Sequence, residues 1–144
     1  MRDGVTLPEM VVTLVLVAIL SGITVPSLVA ATDRSAIRMG LAQLKGAHQE
    51  ARLAAVLADR TAVLTVSADS LTLRTILGAD TTVTWRRAGP TTWGVKLEGG
   101  ERSFRFSPAG YSFGASNATL RLTKGSASGS LIISRLGRVR MAMP

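Results

Sequence analysis

Two groups of residues, one near each end of the chain, have types and spacings that could do chemistry. Near the start, Gly4 is followed by Val5-Thr6-Leu7-Pro8 and then Glu9, the last charge before a long apolar run. A carboxylate at the edge of such a run is costly in hydrocarbon unless a positive group answers it. Near the end, Arg135, Arg138 and Arg140 surround Gly137, and Lys124 lies upstream of them. From Arg102 onward there are seven basic residues and no acidic one. Arginine grips phosphate oxygens bidentately, and glycine lets the backbone approach closely. If Leu136-Gly137 is a two-residue hairpin turn, Arg135 and Arg138 are cross-strand partners and Arg140 shares their face. Val139 and Met141 then turn toward the core. Like charges opposite one another repel, so this face calls for an anion.

Nothing else in the chain suggests catalysis. There are no cysteines and one histidine, which removes disulfides, thiolate metal sites and histidine relays. His48 has no acid–base partner in sequence and falls on an apolar stripe, so it reads as a structural histidine. Glu98 and Glu101 flank a Gly-Gly turn and read as solvated charges. No phosphate loop, dinucleotide fingerprint or metal-spacing motif is present. Trp85, Trp93, Phe104, Phe106, Tyr111 and Phe113 could stack bases but read better as core or sheet-face residues. No enzyme activity, metal or cofactor is expected.

The elements that must position these residues follow from the distribution of apolar side chains. The 144 residues are 47% hydrophobic yet carry a formal charge of +8, so the two properties should occupy different places. Met10–Thr32 is 23 residues long and has no charge. As a helix rising 1.5 Å per residue it would reach about 35 Å, enough for a bilayer core of about 30 Å. It could be a plain membrane anchor, a secretory signal or an assembly helix that leaves the membrane for a multi-subunit core. The acidic balance before the run argues against the signal. The helix should continue to about Asp59, because Ile37, Leu41, Leu44, His48, Ala51, Ala55 and Ala58 form one face. Gly22 and Pro26 are its natural bend points.

From Thr61 the period becomes two. Thr61–Val66 and Leu71–Leu77 read as a hairpin, Thr81–Arg86 as a third strand, and Ser103–Phe106 and Ala118–Leu122 as short strands. Leu131–Arg135 and Arg138–Met141 read as a last hairpin, and Lys124–Ser130 as a flexible loop. The expected class is α+β: a long N-terminal helix, first apolar and then amphipathic, packed on an antiparallel sheet.

The start of the chain resembles the class III leader of type IV pilins and type II secretion pseudopilins. Gly4 matches the residue before the cut, Val5 the new N-terminus and Glu9 the fifth mature position. Pro26 matches a common helix-kinking proline. Val5 stands where the family usually has Phe. The resemblance implies a leader at 1–4, an assembly helix at 5–32 and a periplasmic domain at 33–144. It implies cleavage after Gly4 by a prepilin peptidase that methylates Val5, and storage in the bacterial inner membrane. It further implies assembly with other subunits, Glu9 neutralising the amine of a neighbour. Counting Arg2 against Arg34, Arg38 and Lys45 by the positive-inside rule would give the opposite topology.

The later segments resemble a narrower group, the GspH/FimT pseudopilins and minor pilins. The matching residues are Phe106-Ser107-Pro108-Ala109-Gly110, Ala118-Thr119-Leu120 and Leu131 to Arg140. Gly137-Arg138-Val139-Arg140 resembles a Gly-Arg-x-Arg motif implicated in DNA binding in FimT-type minor pilins. The sequence offers no base-reading element, so contact with DNA, with Arg135, Gly137, Arg138, Arg140 and Lys124 as the candidate residues, would be sequence-independent. The bland alternative is a solvated basic hairpin; another is an anchored periplasmic domain that never polymerises.

Overall fold

The computed structural model describes residues 4–113, 117–134 and 137–143, with the side chains at 22–26 outside that description. The chain divides into two compact units, Met1–Thr32 and Asp33–Pro144.

One helix, α1 (Leu7–Leu57), supplies the first unit and begins the second. It starts where Thr6 and Glu9 have the spacing of a capping box, and the Met10 amide donates to Thr6 O at 3.1 Å. Pro8 falls in the first turn, where its missing N–H leaves no bond unmade. The helix ends in a Schellman motif. Arg60 N donates to Ala55 O (3.1 Å) and Asp59 N to Val56 O (3.3 Å). Asp59 takes the left-handed position, φ 50°, that glycine usually fills.

Among its described residues the second unit contains two antiparallel sheets, where a single one was the simplest expectation. The first has five strands in the order β3-β2-β1-β5-β6. These are β1 (Thr61–Val66), β2 (Ser70–Leu77), β3 (Asp80–Ala88), β5 (Arg102–Phe106) and β6 (Ser112–Phe113). The second has four, in the order β4-β7-β8-β9. They are β4 (Lys96–Glu98), β7 (Ala118–Lys124), β8 (Ala127–Ile133) and β9 (Val139–Ala142). A 3-10 turn at Pro90–Trp93 leads into β4.

The predicted stripe of α1 is the helical side of the core. Ile37, Leu41, Leu44, His48, Ala51 and Ala55 are all buried, and only Ala58, past the last turn, is exposed. Opposite them lie Leu64, Leu71, Leu73, Phe104 and Phe106 from one sheet and Leu120, Leu122, Leu131 and Ile133 from the other. Two glycines set how closely helix and second sheet approach. A Cβ on Gly40 would lie 2.8 Å from Leu122 Cδ1. One on Gly129 would lie 2.7 Å from Ile37 Cγ2 and 2.8 Å from Leu41 Cδ1.

That contact corrects the expected flexible loop at Lys124–Ser130. Most of the segment is strand β8, paired along β7 from Lys124↔Ala127 to Ala118↔Ile133. Its small residues let the helix approach closely.

Candidate functional site

In the first unit, Gly4, Val5 and Thr6 precede the helix, and Val5 is 67% exposed. Glu9 is exposed in the first helical turn, and its carboxylate pairs with no described residue. A carboxylate there is favoured by the positive end of the helix dipole. The following residues present apolar side chains on every side: Met10, Val11, Val12, Leu14, Val15, Leu16, Val17, Ile19, Leu20, Leu28 and Val29 are all at least half exposed. Hydroxyls within this stretch bond the helix's own carbonyls, Thr13 Oγ1 to Glu9 O (3.0 Å) and Ser21 Oγ to Val17 O (2.7 Å). That lowers the cost of placing them in an apolar surrounding. Among the described residues, no helix is long and apolar enough to cross a membrane. The side chains at 22–26, in the middle of the charge-free run, lie outside them.

The C-terminal group is built differently from its expected form. β8 and β9 pair as Ile133↔Val139, Ile132↔Arg140 and Leu131↔Met141. Ser134 N donates to Arg138 O (2.9 Å), and Arg138 N donates back to Ser134 Oγ (3.1 Å). Arg138 therefore faces Ser134, one residue before its expected partner. The one-residue difference arises at Gly137. It is buried, has φ +74°, and donates its N–H to Ser134 O at 2.9 Å. Only glycine holds that left-handed conformation without strain. Arg135 lies outside the described residues.

Arg138 and Arg140 keep the shared face that alternation gives them, about 6.6 Å apart along the strand. Both are exposed, and neither forms an ion pair with a described residue. Val139, on the other side, packs on the core, but Met141 is 45% exposed, so only one of the two inward-turned residues is covered. Across the same solvent face run Ser130 and Ile132 of β8 and Thr119 and Arg121 of β7. Lys124 is occupied within the unit. Its Nζ lies 3.8 Å from Asp33 Oδ1 and donates to Trp93 O at 3.2 Å.

His48 is buried at 2% exposure, edge-on to Phe106 (4.9 Å) and Phe104 (5.9 Å). Its Nε2 has no hydrogen-bond partner among the described residues. Burial, and then the charge of Arg52, pull its pKa from 6.5 down to about 4. No group of His, Asp and Glu among the described residues could hold a metal ion.

No protein-family model matches the chain, and no curated protein matches it. Solved structures do. Two crystal forms of the type IV minor pilin FimU from Pseudomonas aeruginosa strain PAO1 superpose with TM-scores of 0.58 and 0.60. Identity is 18% and 17%; the matches cover 74% and 78% of this chain and 96% of FimU in both. The fold is pilin-like. In this pilin-like fold the two groups of candidate residues lie in different units: Glu9 before Thr32, Arg138 and Arg140 after Asp33. Sequence reasoning missed a third group, on the solvent face of the five-stranded sheet. Its signal lay in the register of β1, β2 and β3, which composition does not reveal.

Proposed function

We propose that this chain is a minor pilin or pseudopilin of the GspH/FimT type. Its charge-free helix is stored in the inner membrane, with residues 33–144 on the periplasmic side, until it joins a filament or its tip. A prepilin peptidase cuts between Gly4 and Val5 and methylates the new amine. The observation that carries this reading is the helix from Met10 to Val29. Its described apolar side chains, from Met10 to Leu20 and at Leu28 and Val29, are exposed all round, and an exposed Glu9 that pairs with no described residue stands at its head. A helix that is hydrophobic on every side needs lipid or other helices around it. A lone carboxylate there sets a register when a neighbour's amine answers it. Intact-mass spectrometry of the protein purified from its own membranes tests this. The expected species begins at methylated Val5, and Gly4→Leu should leave the leader attached. A wild-type protein retaining Met1–Gly4 overturns the reading in favour of an anchored domain that never polymerises.

A second reading, DNA capture, is favoured by the exposed, unpaired Arg138 and Arg140 on one strand face. It predicts that a fragment beginning at Asp33, which contains every buried core residue described, retards duplex DNA at low salt. Two neutralised phosphates give a log–log salt slope of about −1.8. Arg138→Ala/Arg140→Ala should abolish the retardation, while Lys124→Ala, already engaged with Asp33, should change it little. No retardation by the wild-type fragment at low salt removes this reading and leaves the first intact.

A further inference from the structure

The solvent face of the five-stranded sheet carries a polar groove of about 380 Å³, lined chiefly by Thr65, Thr72, Arg74, Arg86, Glu101 and Ser103. Register explains how they meet. Thr65 pairs with Thr72 and with Ser103, and Thr72 pairs with Arg86, so four strands contribute to one row. The next row brings Arg74 opposite Val83. Leu73 pairs with Trp85 and Arg74 with Val83, so Thr84 is an extra residue on β3. Such a bulge shifts the alternation by one and increases the local bend. Arg86 and Val83, three apart, thereby reach the same face, while Trp85 and Arg87 take the other.

The two faces of β3 treat their arginines differently. Arg87 makes a two-bond contact with Glu50 (2.7 and 2.9 Å) and lies 4.3 Å above the Trp85 ring. Arg74 and Arg86, in the groove, pair with no described carboxylate, and Glu101 pairs with no described cation. Two guanidinium groups on adjacent strands of one face repel unless an anion lies between them. Around them the groove offers hydroxyls; Thr65 Oγ1 and Ser103 Oγ lie 3.2 Å apart. Among the described residues no aromatic side chain lines it, so they offer no platform for a nucleic-acid base. Guanidinium for an oxyanion, with hydroxyls and a carboxylate for ligand hydroxyls, is the complement of a charged sugar. The volume lies within the range of roughly 300–1,000 Å³ that small-ligand sites occupy.

We propose that this groove binds an anionic saccharide, a sugar unit bearing one carboxylate or phosphate. Arg74 and Arg86 take the oxyanion, and Thr65, Thr72, Ser103 and Glu101 take the sugar hydroxyls. The site is separate from the strand face of Arg138 and Arg140 and does not depend on the DNA reading. The test is calorimetric titration of the full-length protein in a sugar-free, non-ionic detergent. The probes are glucuronate, glucose 6-phosphate, glucose, inorganic phosphate and a short oligonucleotide. Saturable binding of glucuronate or glucose 6-phosphate is expected, at least about ten-fold tighter than glucose or phosphate alone; the tighter of the two identifies the oxyanion. Arg74→Gln and Arg86→Gln should each weaken it about ten-fold or more, and Thr72→Val by less. Arg87→Gln, on the opposite face, should leave it unchanged. Equal binding of glucose, equal binding of bare phosphate, binding of the oligonucleotide alone, or no binding would each overturn the proposal.

Discussion

Replacing Gly89 by alanine is expected to destabilise the Asp33–Pro144 unit by about 3 kcal/mol or more, one of the largest effects of any single methyl in the molecule. Gly89 has φ −84°, a conformation open to any residue, so the penalty is purely one of space. An added Cβ would lie 2.6 Å from Ser70 N and 2.7 Å from the carbonyl carbon of Asp69, both backbone atoms. Those atoms are held by the turn between β1 and β2, where Ser67 N donates to Ser70 O and Ser70 N to Ser67 Oγ. The segment after β3 clasps the same turn. Gly89 N donates to Asp69 O (2.8 Å), and Thr91 Oγ1 donates to Ala68 O (2.9 Å). From the other side Gln43 of α1 donates to Ala88 O (2.8 Å) and accepts from Trp93 Nε1 (3.0 Å). The backbone cannot retreat without breaking several of these bonds. In thermal melts of the fragment beginning at Asp33, the loss corresponds to a fall of more than about 10 °C. Gly46→Ala is the control: it is helical, exposed and has nothing within 4 Å of a new Cβ. It should be neutral or stabilising by up to about 1 kcal/mol. A loss below about 1 kcal/mol for Gly89→Ala would show that the clasp yields.

The parts of this fold that were legible in the sequence are those governed by periodicity alone. The stripe from Ile37 to Ala55 gave the helix, its buried face and the structural role of His48, because a 3.6-residue period is read locally. β1, with strict alternation and a full buried row, was equally plain. β8 was plain only in its second half, Leu131–Ile133. Its Ala-Ser-Gly-Ser start has the composition of a loop, and there Gly129 makes room for Ile37 and Leu41, residues about ninety positions away. β4 and β6 are three and two residues long and exist only through their partners. The candidate sites divide in the same way. That Arg138 and Arg140 share a face follows from alternation within one strand. The opposing residue depended on the turn at Gly137, and one residue of slip exchanged Arg135 for Ser134. The groove was invisible because a bulge at Thr84 decides which of Val83, Trp85 and Arg86 face solvent.

The stability of the unit should fall steeply with acid between pH 6.5 and pH 4, and one side chain should account for it. His48 is the sole histidine in the chain, so no other side chain changes charge in the upper part of that window. In the folded unit its ring lies against Phe104 and Phe106, and its Nε2 finds no acceptor. A proton placed there would be desolvated and would face the Arg52 guanidinium, hence a folded pKa of about 4 against 6.5 in the unfolded chain. The direction follows from proton counting. Below pH 6.5 the unfolded chain takes up a proton that the folded one refuses, so stability is complete above that pH and is lost on descent. The loss is about 2 kcal/mol by pH 5 and approaches about 3 kcal/mol near pH 4, where carboxylates begin to contribute. Urea melts of the fragment at pH 7.5, 6 and 5 measure it. His48→Leu keeps an apolar group of similar size on the stripe and removes the titration, so its midpoint should be flat between pH 7.5 and 5, whatever its absolute stability. A wild-type midpoint equally flat over that range would mean that the folded unit accommodates a charged His48.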